Sequence, residues 1–139
     1  MRATVNWAGD VRFDGHSGSG HHVAIDGPPE LGGQNQGVRP MELVLLGVGG
    51  CTSFDVVNIL RRGREDLVDC VTEIEAERAD ADPRVFTRVH FHFRVTGRGL
   101  NPKKVERAIH LTAEKFCSAS IMLERAGVAV THDYELIEA

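Results

Sequence analysis

The chain has 139 residues, 42% hydrophobic and 26% charged, which fits one globular domain spanning residues 1–139 and carries no signature of disorder. A formal net charge of −4 gives no electrostatic case for nucleic acid or an anionic membrane as partner. No secretory signal opens the sequence, and the apolar run 41–60 carries Glu42, Asp55 and Asn58, so it reads as a buried helix of a soluble, cytoplasmic protein rather than a membrane span.

In chain order, residues 3–7 alternate with Ala3, Val5 and Trp7 on one face, the period of a strand. Gly9-Asp10 suits a turn into a short strand over 11–13. The Gly/Ser-rich stretch 14–20 reads as a loop, and 22–26 as a third strand. Prolines and glycines make 27–39 an irregular connection. Pro40 then suits the first turn of a helix running to Arg62, before Gly63, and roughly 33 Å long at 1.5 Å per residue. Arg61, Arg62 and Arg64 form the one local basic cluster, placed where a helix C-terminus favours cations. Apolar residues lie almost all round this helix, from Leu43 to Leu60. One sheet covers one side only, so a second copy of the chain is expected to cover the rest.

Residues 68–76 and 85–95 read as two long strands joined by a turn at 80–83. In the second, Val89, Phe91, Phe93 and Val95 share the inner face, while Arg88, His90, His92 and Arg94 share the outer one. Asn101-Pro102 supplies an N-cap and a first helical residue. Val105, Ala108, Ile109, Thr112 and Phe116 form the expected buried stripe. Ser118 or Ser120 could cap a further helical piece ending at Gly127, which leaves Cys117 at or near a break. Residues 128–137 close the chain as a strand. The order β-β-β-α-β-β-α-β, dominated by hairpins, predicts an α+β fold with antiparallel sheet.

Three cysteines stand at 51, 70 and 117, a spacing that matches neither a disulfide framework nor a zinc ribbon. In the cytoplasm a disulfide is usually transient or catalytic. Cys51 follows Gly49-Gly50. Glycine costs about 1 kcal/mol within a helix relative to alanine, so the pair serves either close approach of a ligand to the sulfur or tight packing of the helix. A thiol held against backbone amides or a helix N-terminus would have a lowered pKa and be more nucleophilic. Cys117, beside Phe116, also fits the role of a small apolar filler. Cys70 alternates with Val68, Thr72 and Ile74 and reads as a bystander.

The run Gly49-Gly50-Cys51-Thr52-Ser53-Phe54-Asp55-Val56-Val57, preceded by Arg39-Pro40-Met41-Glu42-Leu43, resembles the first cysteine helix of the OsmC-like family, which includes osmotically inducible protein C and the organic hydroperoxide resistance proteins. Glu114-Lys115-Phe116-Cys117-Ser118 resembles the family's second cysteine motif, and the separation of 66 residues between the two cysteines also fits. The resemblance implies an intertwined homodimer, with antiparallel sheets wrapped around two long central helices. It also implies a thiol-dependent peroxidase that uses no cofactor and no metal. Cys51 would be the peroxidatic thiol, attacking a hydroperoxide and becoming a sulfenic acid, and Cys117 would resolve it to a disulfide that a cellular dithiol reduces.

The match departs from the hydroperoxide-resistance branch in one respect: Met41 directly follows the proline, and Glu42 comes one residue later. Nine residues before Cys51, Glu42 lies about half a revolution away on a regular helix. It serves either a partner subunit's site or the cap of its own helix. The family also uses an arginine from an early loop, for which Arg12 is the candidate. Two other readings compete. Histidines 16, 21, 22, 90, 92, 110 and 132 offer imidazoles for a metal. A non-catalytic thiol sensor, or a small-molecule binder, would share the fold without turnover.

Overall fold

The computed structural model describes residues 1–139. The backbone forms two compact units, Met1–Leu46 and Gly47–Ala139, whose dividing point falls inside the long helix α1 (Pro40–Arg62).

The first unit holds a three-stranded antiparallel meander, β1 (Ala3–Trp7), β2 (Phe13–Ser17) and β3 (His22–Ile25). Strand β2 begins where the sequence predicted a strand to end. Gly9 and Asp10 both take positive φ, and the Trp7 indole N–H donates to the Asp10 carbonyl at 2.8 Å. The turn therefore consumes Val11 and Arg12, and pairing starts at Trp7–Phe13. Most of the expected loop 14–20 is strand. Gly15 lies between Val5 and Val23 in the pairing, where the ladder outweighs glycine's weak strand preference.

Beyond β3 the irregular connection is organised by one carboxylate. Asp26, only 2% exposed, accepts hydrogen bonds from the backbone N–H groups of Gly27 (2.8 Å), Gln34 (3.0 Å) and Gln36 (3.1 Å). Those amides, Gln36 foremost, hold its pKa below the ordinary 3.8.

The second unit holds the rest of α1, a sheet and two further helices. Strands β4 (Asp66–Arg78) and β5 (Phe86–Arg98) form the expected antiparallel hairpin. Strand β6 (Ala129–Glu138) joins the other side of β5 and runs parallel to it, a departure from the antiparallel expectation within an otherwise α+β fold. The cause lies in the connection. Residues 99–128 carry helices rather than a tight turn, and such a crossover brings the chain back to a neighbouring strand in the same direction.

The core of this unit follows the predicted alternation of β5, with Val89, Phe91, Phe93 and Val95 all buried. Helix α2 (Pro102–Leu111) contributes Val105, Ala108 and Ile109. Its N-cap, Asn101, accepts from the Lys103 N–H at 3.0 Å, and its start is tied to the end of α1 through Glu65, which accepts from the Asn101 N–H at 3.1 Å. Helix α1 buries a single stripe of Val48, Gly49, Thr52, Val56 and Leu60. Phe116, expected in the buried stripe of α2, is 48% exposed. Residues Thr112–Phe116 form a π turn instead of continuing the α-helix, and the altered phase rotates Phe116 outward while Thr112 stays buried.

Replacement of Asp26 by alanine should lower the melting temperature at neutral pH. A carboxylate whose folded pKa is depressed stabilises the fold above its unfolded value and loses that contribution as pH falls through the folded one. The gap between wild type and Asp26→Ala should therefore narrow below pH 3.8. A gap that stays constant through the acid range in thermal melts would contradict this role.

Candidate functional site

The sulfurs of Cys51 and Cys117 and a carboxylate oxygen of Asp55 lie within 4.8 Å of one another. Two secondary-structure features produce the meeting. Cys51 and Asp55 are four residues apart on α1, which places both on one face of the helix. Cys117 ends the π turn, its N–H donating to the Thr112 carbonyl at 2.8 Å, and then serves as N-cap of α3 (Ser118–Arg125). There its backbone is extended, with φ −73° and ψ 97°, and its sulfur accepts from the Ser120 N–H at 3.4 Å. Cys117 is fully buried, whereas Cys51 and Asp55 are half-buried, so the cluster opens on the α1 side.

Three influences compete at Cys51. Burial dominates and pushes its thiol pKa up, because the thiolate is the form that loses solvation. The Ala119 N–H at the start of α3 pulls the other way. Cys117 and the charge of Asp55 add to the upward shift. The amides expected to lower this pKa are thus present, and burial outweighs them. Asp55 is itself held above the ordinary carboxylate range by burial, and its Oδ2 is buried without a hydrogen-bond partner.

Of the two roles that the sequence left open, packing is the one seen at Gly49. A Cβ on Gly49 would come within 2.5 Å of Ile74 Cδ1, so this glycine serves packing of α1 on β4. A Cβ on Gly50 would meet nothing within 4 Å, and this position faces outward with Leu46 and Phe54, four residues to either side, rather than toward the sulfur.

The other residues singled out in the sequence lie elsewhere. Glu42 accepts from the Arg39 N–H at 2.8 Å, three residues back, the reciprocal half of a capping box at the start of α1. Arg12 is bound to the Gln36 side chain and to the Ala8 carbonyl at 3.2 Å, within the first unit. Cys70 faces Val95 in the β4–β5 pairing and stands outside the cluster. His90 Nε2 and His92 Nδ1 both bond Asp133 Oδ1, at 3.0 and 2.7 Å, on the polar face of the sheet. His16 and His22 face each other across β2 and β3 with ring centroids 5.8 Å apart and planes tilted by 34°, and His110 pairs with Glu114 at 3.0 Å.

Asp55 is the site residue that sequence reasoning missed. Its signal was present in the spacing, since a carboxylate four residues after a cysteine on a helix must share its face. The amides of Ala119 and Ser120 were less legible, because they act only once the π turn has set the start of α3.

Alkylation of Cys51 by iodoacetamide, followed residue by residue by peptide mass spectrometry on reduced protein, should rise with pH at a midpoint above the ordinary thiol range. Asp55→Asn removes a negative charge that opposes ionisation, so the midpoint should move down. A wild-type midpoint below that of free cysteine would refute the dominance of burial.

A family model described as OsmC-like protein matches residues 33–133. Protein YhfA of Escherichia coli (strain K12) is 45% identical over 139 residues, with both chains covered in full. A solved structure of a hypothetical protein from Aquifex aeolicus VF5 shares the fold at a TM-score of 0.86 with 21% identity, covering 99% of this chain and 96% of the other. An organic hydroperoxide resistance protein OsmC from Legionella pneumophila shares it at 0.70 with 18% identity, over 96% and 95% of the two chains. The chain belongs to the family of OsmC-like proteins.

Proposed function

We propose that this protein reduces organic hydroperoxides through Cys51, with Cys117 as the resolving thiol. The observation that carries the reading is the approach, within 4.8 Å, of two sulfurs 66 residues apart in the chain, one fully buried and one half-buried. The name of the Legionella relative points to the same substrate class.

The cycle is ordinary sulfur chemistry. The Cys51 thiolate attacks the peroxide's distal oxygen, the O–O bond breaks, and the alkoxide leaves as alcohol after taking a proton, with Cys51 oxidised to a sulfenic acid. The Cys117 sulfur then displaces hydroxide from that sulfenic acid, which leaves as water, and an intramolecular disulfide forms. A dithiol restores both thiols by exchange and is itself oxidised. The cytoplasm supplies such reductants. With Glu42 engaged by the Arg39 N–H, its role in this reading is to set the start of α1.

The substrate should be an alkyl hydroperoxide such as cumene hydroperoxide, consumed in the presence of a dithiol. Cys51→Ser should reduce consumption to the uncatalysed rate. Cys117→Ser should oxidise once, accumulate sulfenic and then sulfinic acid at Cys51 by intact mass, and fail to recycle. Equal turnover by wild type and both variants would remove the catalytic assignment. One observation favours a second reading, a thiol sensor without rapid turnover: burial, a thiol and a carboxylate act together against ionisation of Cys51, and none of the groups acting on it is a cation. A sensor would form the same disulfide stoichiometrically without sustained peroxide consumption.

The protein works in this reading as a homodimer. Helix α1 leaves Val44, Leu46 and Phe54 exposed, Phe54 at 68%, although its length and composition resemble those of a membrane-crossing helix. A second copy is the cover that suits such a surface. Sedimentation equilibrium should give twice the chain mass. Burial of a phenylalanine is worth about 1.5–3 kcal/mol, so Phe54→Glu should weaken association by roughly tenfold or more. A monomeric wild type at micromolar concentration would end the dimer proposal.

A further inference from the structure

We propose that the reduced protein binds one thiophilic divalent cation of the zinc class through Cys51, Cys117 and Asp55, at a site that exists only while both cysteines are thiols. This inference does not depend on peroxide turnover.

The geometry fits such an ion. Zinc takes sulfur at about 2.3 Å and carboxylate oxygen at about 2.0–2.2 Å, so two ligand atoms on one tetrahedral ion stand roughly 3.5 Å apart. The three donor atoms here are already within 4.8 Å of one another. A point equidistant from three atoms at that separation lies at most about 2.8 Å from each, so side-chain adjustments of well under 1 Å close the site. Two donors come from successive turns of α1, and the third is fixed by the π turn and the N-cap of α3. No backbone movement is needed to gather them.

Asp55 supplies the second, independent observation. Its Oδ2 is buried, accepts no hydrogen bond, and forms no ion pair. Buried carboxylate oxygens are normally satisfied, and this carboxylate, one oxygen of which lies within 4.8 Å of both sulfurs, lacks a cation to satisfy it. Three acidic donors with no cationic side chain among them would leave a single negative charge once a divalent ion is bound. The amides of Ala119 and Ser120, which touch the two sulfurs, would continue to bond the metal-bound thiolates, orienting them as hydrogen bonds from outside a metal centre do. Cys51 and Asp55 are half-buried, so a water reaching the cluster from the α1 side can serve as fourth ligand. This differs from the imidazole site weighed from the sequence, because His90 and His92 are taken up by Asp133, His110 by Glu114, and no histidine belongs to the Cys51–Asp55–Cys117 cluster.

Metal and oxidation would then exclude each other. A disulfide between Cys51 and Cys117 uses both thiolates, so oxidation expels the ion, and the ion shields the thiols from oxidant. The experiment titrates Zn²⁺ into metal-free, dithiol-reduced protein, freed of reductant under anaerobic conditions, against a chromophoric chelator, with Co²⁺ run in parallel for its thiolate charge-transfer absorption. One Zn²⁺ per chain is expected. Binding should be lost in Cys51→Ser, in Cys117→Ser and in wild type oxidised to the disulfide. Asp55→Asn, close to isosteric, should bind about tenfold or more weakly, since it loses a direct ligand. Wild-type affinity in Asp55→Asn would show a bare dithiol chelating metal and overturn the three-ligand site. So would unchanged binding by the oxidised protein, or no binding by the reduced one.

Discussion

The hydrogen bond from the Cys117 N–H to the Thr112 carbonyl, at 2.8 Å, is the interaction on which the candidate site depends. It closes a π turn where an α-helix would otherwise run on. Had α2 continued with regular spacing, residue 117 would stand elsewhere around the axis and α3 would have no free N-terminus at this place. The wider turn does two things together. It rotates Phe116 out of the core, and it converts Cys117 into an N-cap whose sulfur accepts the Ser120 N–H. The buried Thr112 hydroxyl, donating to the Ala108 carbonyl at 2.8 Å, satisfies a polar group where the two geometries meet. Insertions of this kind in a helix cluster at functional sites, and here the gain is direct: two sulfurs become neighbours.

The electrostatics of that neighbourhood are a contest between burial and a helix N-terminus. Helix amides favour anions, and α3 offers two of them to the thiols. Burial disfavours any anion, and Asp55 contributes a charge of the same sign. Burial wins at Cys51. The pair is thus better suited to a state in which charge is neutralised, by bonding of sulfur to sulfur or to a cation, than to a standing thiolate. The proposed peroxidase cycle and the proposed metal site would be two outcomes of one constraint.

Much of this was legible in the sequence because it rests on local chemistry. Pro40 and Gly63 bracket α1, the alternation of Val89 to Val95 marks the inner face of β5, and Asn101-Pro102 starts α2, each by a rule that acts within a few residues. The failures share a different cause. The second strand, expected over 11–13, lies at Phe13–Ser17 instead, because Gly15 and Ser17 are poor strand formers that only pairing with β1 and β3 holds extended. The direction of β6 was misjudged because a strand's composition carries no sign of its polarity; the helical connection sets that. Phe116 was placed inside by extending a 3.6-residue period through a turn that does not keep it. Asp55 enters the sequence reading as an obstacle to a membrane span and as one letter of the first cysteine motif, although its distance from Cys51 already puts the two on one face.

The apolar surface and the polar cluster of α1 are two consequences of one helix serving two purposes. Its buried stripe, Val48 to Leu60, spans one side only, and the spacing that keeps Cys51 and Asp55 together sets them beside that stripe rather than within it. A helix covered on every side would bury both groups completely, and their charged forms would become still costlier. A helix covered on one side would leave Phe54 and its neighbours in water. In the proposed dimer, cover by a second chain would remove this apolar surface, the face that Leu46 and Phe54 share with Gly50 between them, while Cys51 and Asp55 stand on another side of the helix. In that reading association and chemistry would be linked through the same 23 residues, and a substitution on either face of α1 would be expected to act on both.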